Sequence, residues 1–169
     1  MTKDEKSVGG NDGMQLQIVP FESAHAQAFR DLNLEWIEAF FAVEELDRRH
    51  LDFPRESFID SGGAILMAQM DGVLVGCCGL LKHDHGVYEV SKMAVMHEHQ
   101  GRGIGRELLR AMILHARSIG ARRLEIISST QLDVALHLYR SLGFLEVPLA
   151  SDAYARGNIA LALDLAEKE

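Results

Sequence analysis

A glycine-rich segment between an apolar strand and an amphipathic helix constrains the fold more than any other feature of this chain. Glycines stand at positions 101, 103 and 105, shortly after Val87–Val95, a segment whose composition favours a strand. A helix is predicted next, with one stripe formed by Ile104, Leu108, Ala111, Met112, His115 and Ile119. Gly120 ends this helix, and Leu124–Ser128 is predicted as the following strand. Strand, helix and strand in this order form a parallel crossover, so part of the sheet is expected to be parallel.

The remaining segments predict antiparallel strands and further helices. Asp71-Gly72 separates the apolar runs Ala64–Met70 and Val73–Leu81, and this dipeptide favours a hairpin because both turn positions need a positive φ. Met14–Val19 is predicted as the first strand, and a helical pattern with a charged continuation to His50 follows it. The predicted order is β-α-(α)-β-β-β-α-β-α-β-β. This order indicates an α/β fold of mixed α+β type, with helices on both faces of one mixed sheet.

Length and charge limit the functional classes. The chain has 169 residues and a formal net charge of −8 at pH 7. We expect a flexible leader at 1–13 and a single domain at 14–169. The negative charge argues against binding to nucleic acid or to an anionic membrane surface. The chain shows neither a membrane-spanning apolar segment nor an apolar signal core at its start, which predicts a cytoplasmic location.

The two cysteines are adjacent, at Cys77 and Cys78, inside an apolar run. Strand alternation would turn their side chains to opposite faces of the sheet. A disulfide framework or a zinc site is therefore not expected, and the prediction is two buried thiols and no bound metal.

The glycine segment predicts a site for a phosphate group. Glycines let a ligand approach the backbone, and the first amides of the helix have no partner within the helix. The positive end of the helix dipole and the side chains of Arg102 and Arg106 favour an anion such as a pyrophosphate. A dinucleotide-binding loop would need glycine at position 106, and the Gly-Lys-Ser/Thr ending of a P-loop is absent. The alternative is a bend that only connects strand to helix.

Two segments resemble the GCN5-related N-acetyltransferases, the GNAT superfamily. The segment Val87–Leu109 reads VYEVSKMAVMHEHQGRGIGRELL and resembles motif A, Arg/Gln-x-x-Gly-x-Gly/Ala, through Gln100, Gly103 and Gly105. The segment Ala135–Phe144, ALHLYRSLGF, resembles the later motif in which Leu-Tyr precedes Gly-Phe. The resemblance implies a mixed, mostly antiparallel sheet in which a splayed parallel strand pair binds coenzyme A. It also implies that acetyl-CoA is the cosubstrate and that an amine is the acceptor.

The resemblance also implies which residues hold acetyl-CoA. The pantetheine arm would lie between the strand at Tyr88–Val95 and the strand at Leu124–Ser128, and the pyrophosphate would lie on the glycine segment. Many members carry asparagine where this chain has Leu132, so a cofactor or substrate contact sometimes made there is not expected here. The expected cofactor-binding residues are Met93, Ala94, Val95, Gln100, Gly101, Arg102, Gly103, Ile104, Gly105 and Arg106.

Two residues are candidates for proton transfer. By resemblance, Tyr139 is the general acid that protonates the departing thiolate; its helical stripe alone favours a core tyrosine. Glu89 is the candidate base, because alternation along its strand predicts the same site-facing side for Glu89, Ser91 and Met93. A solvated strand glutamate is the alternative. His83 and His85, in a turn expected to be exposed, are the weaker candidates.

The acceptor is predicted to be an amine of a small molecule or a protein, and its identity is not encoded in any motif. Glu44 and Glu45 follow the first helix and are candidates for contact with a cationic substrate, or are simply solvated. Arg156 is expected either to meet a substrate carboxylate or to pair with an acidic neighbour. A silent acetyl-CoA-binding sensor and an enzyme with another acyl donor are the alternative functions, and a homodimer is a family-level expectation.

Overall fold

The computed structural model describes residues 15–150 and 152–165, and the predicted leader at 1–13 lies outside them. The segments follow the predicted order. A short 3-10 turn at Ser23–His25 precedes the first long helix, another at His97–His99 follows the fourth strand, and a π-helical turn spans Arg55–Ile59. The strands and helices are β1 (Leu16–Pro20), α1 (Ala26–Phe40), α2 (Glu45–Asp52), β2 (Ala64–Met70), β3 (Val73–Lys82), β4 (Val87–Val95), α3 (Ile104–Ser118), β5 (Arg123–Ser128), α4 (Asp133–Ser141), β6 (Leu145–Val147) and β7 (Ile159–Asp164).

The strands form one seven-stranded sheet in the order β1-β2-β3-β4-β5-β7-β6. Five of its neighbouring pairs are antiparallel, and β4 and β5 are parallel. The crossover through the glycine segment and α3 therefore produces the parallel pair, as predicted. The mixed fold class is confirmed. Within the described residues, no helix is long and apolar enough to cross a bilayer.

The sheet separates two apolar cores. One core contains the buried stripe of α3 together with Tyr139 and Phe144, and the other contains the buried face of α1 with Phe58. Cys78 belongs to the first core and Cys77 to the second, and both thiols are free and fully buried. The predicted opposite orientation of the two cysteines is therefore confirmed.

The charged segment after α1 forms a helix of its own. Helix α1 ends at Phe40, and α2 begins at Glu45 with Glu44 as its N-cap residue. Glu44 and Asp47 form a capping box, in which the Asp47 carboxylate accepts a hydrogen bond of 2.9 Å from the Glu44 amide. This break lets α2 turn its buried residues, Asp47, His50 and Leu51, towards the interior.

Candidate active site

A cleft opens where β4 and β5 diverge. The two strands pair only from Val87 to Glu89 and from Arg123 to Glu125. Beyond these residues β5 continues to pair with β7, while the facing edge of β4 has no strand beside it in the part of the chain that the structure describes. The cleft has a volume of about 770 Å³ and runs from α1 across this gap to the start of α3. The splayed parallel pair expected from the sequence is therefore present.

A β-bulge reverses the side-chain alternation of β4 in the middle of this cleft. Its register against β3 shifts between Cys77 and Gly79, and Lys92 has a φ of +56°. Before the bulge, Val90 belongs to the core on the α3 side; after it, Met93 packs against that same core and Ala94 joins the core on the α1 side. Because one extra residue inverts the pattern, Met93 lies on the face opposite to Glu89. The prediction that Glu89 and Met93 share a face is wrong.

The glycine segment presents open backbone to the cleft. Gly101 and Gly103 have φ values of +78° and +80°, and a Cβ added to either would meet no atom within 4 Å. Gly105 differs from them, because its added Cβ would lie 3.4 Å from the Leu138 side chain on α4, at an ordinary contact distance. The side-chain amide of Gln100 donates to the Val95 carbonyl at 3.1 Å and ties the segment to β4.

The start of α3 is suited to an anion. Gly103 is its N-cap residue and provides no side-chain cap, and the first amide with a hydrogen bond back into the helix is that of Glu107. The Nδ1 atom of His99, which lines the same cleft, is buried without a partner in the described structure. Unpaired donors and a helix dipole directed at open space fit a phosphate-bearing ligand. The residues present therefore suit the pyrophosphate of acetyl-CoA.

The cleft brings together all the predicted site residues except one. Arg102 is exposed and does not line the cleft, whereas Arg106 does. Leu132, at the position where many GNAT members have asparagine, also lines it. The other predicted residues on the cleft wall are Glu89, Met93, Ala94, Val95, Gln100, Gly101, Gly103, Ile104, Gly105 and Tyr139.

Tyr139 lies both in the core and on the cleft wall. Its side chain is 8% exposed, and its ring centroid is 6.2 Å from that of Phe144. Burial, followed by the proximity of Cys78, raises the pKa of Tyr139 well above its usual range. The phenol therefore keeps its proton at neutral pH, as a general acid must.

Glu89 is paired with His83, the histidine that the sequence analysis ranked as a weaker candidate base. Its carboxylate lies 2.9 Å from Nε2 of His83; the Glu89 side chain is 12% exposed and that of His83 is 48% exposed. The hydrogen bond from Glu89 raises the pKa of His83. The turn is exposed as expected, but His83 reaches back from it and contacts the candidate base.

Sequence reasoning missed a buried ionic cluster beside the cleft. The Asp47 carboxylate is fully buried and lies 2.8 Å from Nζ of Lys92 and 2.7 Å from the guanidinium of Arg156. Burial by itself would raise the pKa of Asp47, but the Arg156 hydrogen bond and the charge of Lys92 outweigh it and hold that pKa far below its usual range. The available signal was Lys92 itself, a charged residue that strict alternation places on the same face as Tyr88, Val90 and Ala94.

The cluster joins three segments of the chain. Nζ of Lys92 donates to the hydroxyl of Tyr154 at 2.9 Å, and this hydroxyl lies 3.3 Å from Nδ1 of His50. Burial, and then the charge of Lys92, lower the pKa of His50 to about 4. Arg156 meets Glu44 as well, at 3.2 Å, so it pairs with acidic neighbours, one of the two roles considered for it. Glu45 is exposed and does not line the cleft.

Comparisons with known proteins agree with this geometry. The model of the acetyltransferase (GNAT) family matches residues 26–144. The chain is 42% identical over 90 residues to the N-alpha-acetyltransferase RimI of Mycobacterium tuberculosis, covering 52% of this chain and 55% of that protein. It is 32% identical over 94 residues to the L-amino acid N-acyltransferase MnaT of Escherichia coli K12, covering 50% and 51%. The matches thus span about half the length of these curated relatives.

Solved structures share the fold at low sequence identity. A GNAT-family acetyltransferase from Staphylococcus aureus Mu50 superposes with a TM-score of 0.82 at 18% identity, covering 90% of this chain and all of that one. The acetyltransferase yncA from Salmonella typhimurium, solved with its cofactor acetyl-CoA, gives 0.70 at 24% identity, covering 92% and 96%. At these identities the likeness establishes the fold alone.

Proposed function

The chain belongs to the acetyltransferase (GNAT) family, and from that premise we propose that it transfers an acetyl group from acetyl-CoA to a primary amine by direct attack on the thioester. The observation that carries the proposal is the divergence of β4 and β5 next to an uncapped helix start. The open edge of β4 offers unpaired backbone groups to an extended pantetheine arm, and the start of α3 offers unpaired amides to a pyrophosphate.

Acetyl-CoA would lie along the β4 side of the cleft. Gly101, Gly103 and the first amides of α3 would hold the pyrophosphate, with Arg106 nearby on the cleft wall. Backbone groups at Met93–Val95, just past the bulge, would hold the arm and polarise the thioester carbonyl. Fixed donors directed at a developing negative charge stabilise a transition state more than water does.

We call the part of the cleft between α1, Glu89–Lys92 and Tyr154–Arg156 the acceptor end. An amine bound there as a cation must lose a proton before its nitrogen can attack. Glu89 is the proposed acceptor of that proton, directly or through water. The nitrogen then forms a bond to the carbonyl carbon, the carbon–sulfur bond breaks, and the acylated nitrogen gives its remaining surplus proton to water, which restores the proton that Tyr139 donates. Tyr139 is the proposed donor of a proton to the departing thiolate.

The names of the two curated relatives suggest two acceptor classes for testing. One is an α-amine, as in the name of RimI, for which a peptide N-terminus is a suitable probe, and the other is an L-amino acid, as in the name of MnaT. A catalytically silent sensor on this fold would bind acetyl-CoA and transfer nothing. A longer-chain acyltransferase would transfer a different group.

The test combines binding with turnover. Calorimetry measures acetyl-CoA affinity, a thiol reagent measures release of coenzyme A in the presence of each amine, and mass spectrometry measures the product. An amine-dependent thiol signal with a product heavier by one acetyl group supports the proposal. Tight acetyl-CoA binding without thiol release for peptides, amino acids, lysine side chains and polyamines contradicts it in favour of the sensor. Faster transfer from longer acyl-CoA donors contradicts the choice of acetyl.

A further inference from the structure

The acceptor end has two cations, the buried Lys92 and the partly buried Arg156, and both are already neutralised. Three lysine or arginine residues line the cleft in the described part of the chain: Lys92, Arg106 and Arg156. Arg106 lies in the first turn of α3, at the opposite end. Lys92 and Arg156 both bind the fully buried carboxylate of Asp47, at 2.8 Å and 2.7 Å.

The planar guanidinium of Arg156 has aromatic rings near it as well as carboxylates hydrogen-bonded to its terminal nitrogens. Its guanidinium carbon lies 4.4 Å from the ring centroid of Tyr154, 5.6 Å from that of Trp36 and 5.7 Å from that of Phe41. Its terminal nitrogens donate to Asp47 and also to Glu44 at 3.2 Å. A carboxylate that approached this guanidinium would meet a cation whose charge Asp47 and Glu44 already balance.

The charge that remains on the cleft wall at this end is negative. Glu89 lines the cleft, and its partner His83 lies half exposed outside it. A carboxylate brought into the acceptor end would therefore approach Glu89, whose partner His83 lies outside the cleft, and would find no unpaired lysine or arginine among the described lining residues. Like charges placed together in this way oppose binding strongly.

An amine on a neutral carbon skeleton meets the opposite situation. Glu89 attracts its positive charge, and the aromatic surfaces of Trp36 and Phe40 on α1 line the same cleft and suit an apolar or peptidic body. The acceptor end therefore favours a positively charged amine on a molecule that carries no carboxylate next to that amine.

From this we infer, within the proposed function, that the acceptor is an amine without a carboxylate on the carbon that bears it. A peptide N-terminus and an alkylamine share this chemistry. Free amino acids lack it, so the class in the name of MnaT is selected against.

The experiment compares matched acceptors: L-leucine, L-leucine N-methylamide, 3-methylbutylamine and a leucine-initiated tetrapeptide amide. Because their amines differ in pKa, kcat/KM is referred to the concentration of unprotonated amine. We expect the best carboxylate-free acceptor to exceed L-leucine by at least about 100-fold, the scale of an unbalanced buried like charge. The ranking of the tetrapeptide against the alkylamine shows whether the preferred acceptor is a peptide N-terminus or a small alkylamine. L-leucine equal to or better than all three overturns the inference, and no turnover with any of the four or with the wider amine panel described above overturns the proposed function itself.

A pair of variants tests whether the Arg156 environment is the cause. Glu44→Gln removes one carboxylate from Arg156, whereas Glu45→Gln changes the exposed neighbour on the same helix. The discrimination against L-leucine should shrink several-fold in Glu44→Gln and persist in Glu45→Gln. Equal discrimination in the wild type and both variants would overturn the charge argument.

Discussion

Asp47 offers the sharpest test of how this structure is held together. Asp47→Asn keeps the shape of the side chain and leaves Lys92 and Arg156 buried without their shared anion. Breaking a buried ion pair costs about 3–5 kcal/mol. Because Glu44 remains beside Arg156 at 3.2 Å, we expect about 3 kcal/mol, or roughly 6–12 °C in Tm for a chain of this length.

The matched control lies on the same helix. Asp52 pairs with Arg30 at the surface, where both side chains are more than a third exposed, so Asp52→Asn should cost less than about 1 kcal/mol. Urea unfolding gives the free energy of each variant, and the double variant Asp47→Asn with Lys92→Met should be less destabilised than the sum of the two single variants. If Asp47→Asn were as stable as Asp52→Asn, the buried cluster would not stabilise the fold, and the reasoning would be refuted.

Three further substitutions test the anion site and the two proposed proton-transfer residues. Gly103→Glu should abolish acetyl-CoA binding in calorimetry. The control Gly72→Glu should bind acetyl-CoA normally, because Gly72 has a φ of +78° and an equally open Cβ direction but lies in a distant hairpin. Equal acetyl-CoA affinity of the two variants would place the cofactor elsewhere. Tyr139→Phe should lower turnover by about 10²-fold and leave acetyl-CoA affinity nearly unchanged, and near-normal turnover would make the residue purely structural. Glu89→Gln should slow turnover on the acidic limb of the pH-rate profile and, by NMR, return the pKa of His83 towards its ordinary value of 6.5. Since the pKa of His83 is raised in the folded state, the His83–Glu89 pair stabilises the fold at low pH and loses this contribution as the pH rises above about 6.5. The pH dependence of Tm in that range should therefore flatten in the Glu89→Gln variant. An unchanged His83 pKa in this variant would contradict the pairing.

The sequence by itself determined the features that depend on near neighbours. The Asp71-Gly72 pair produced the hairpin between β2 and β3, and alternation placed Cys77 and Cys78 in opposite cores. The glycines before α3 identified an open helix start, and the resemblance in the same segment identified the family. Turn chemistry and side-chain period act over a few residues, so they can be read without knowing what packs against them.

Only the tertiary structure decided how β4 and the charged segments use their side chains. The bulge at Lys92 exists relative to β3, so an apparently regular strand gave the wrong face for Met93. Asp47 and Arg156 are 109 positions apart, and nothing local distinguishes this aspartate from the other acidic residues. Whether a charge is solvated or buried depends on which distant segments cover it. The free-energy cost of burying that charge depends on the oppositely charged partner that these segments provide. The chemistry of the acceptor end was therefore determined by long-range packing.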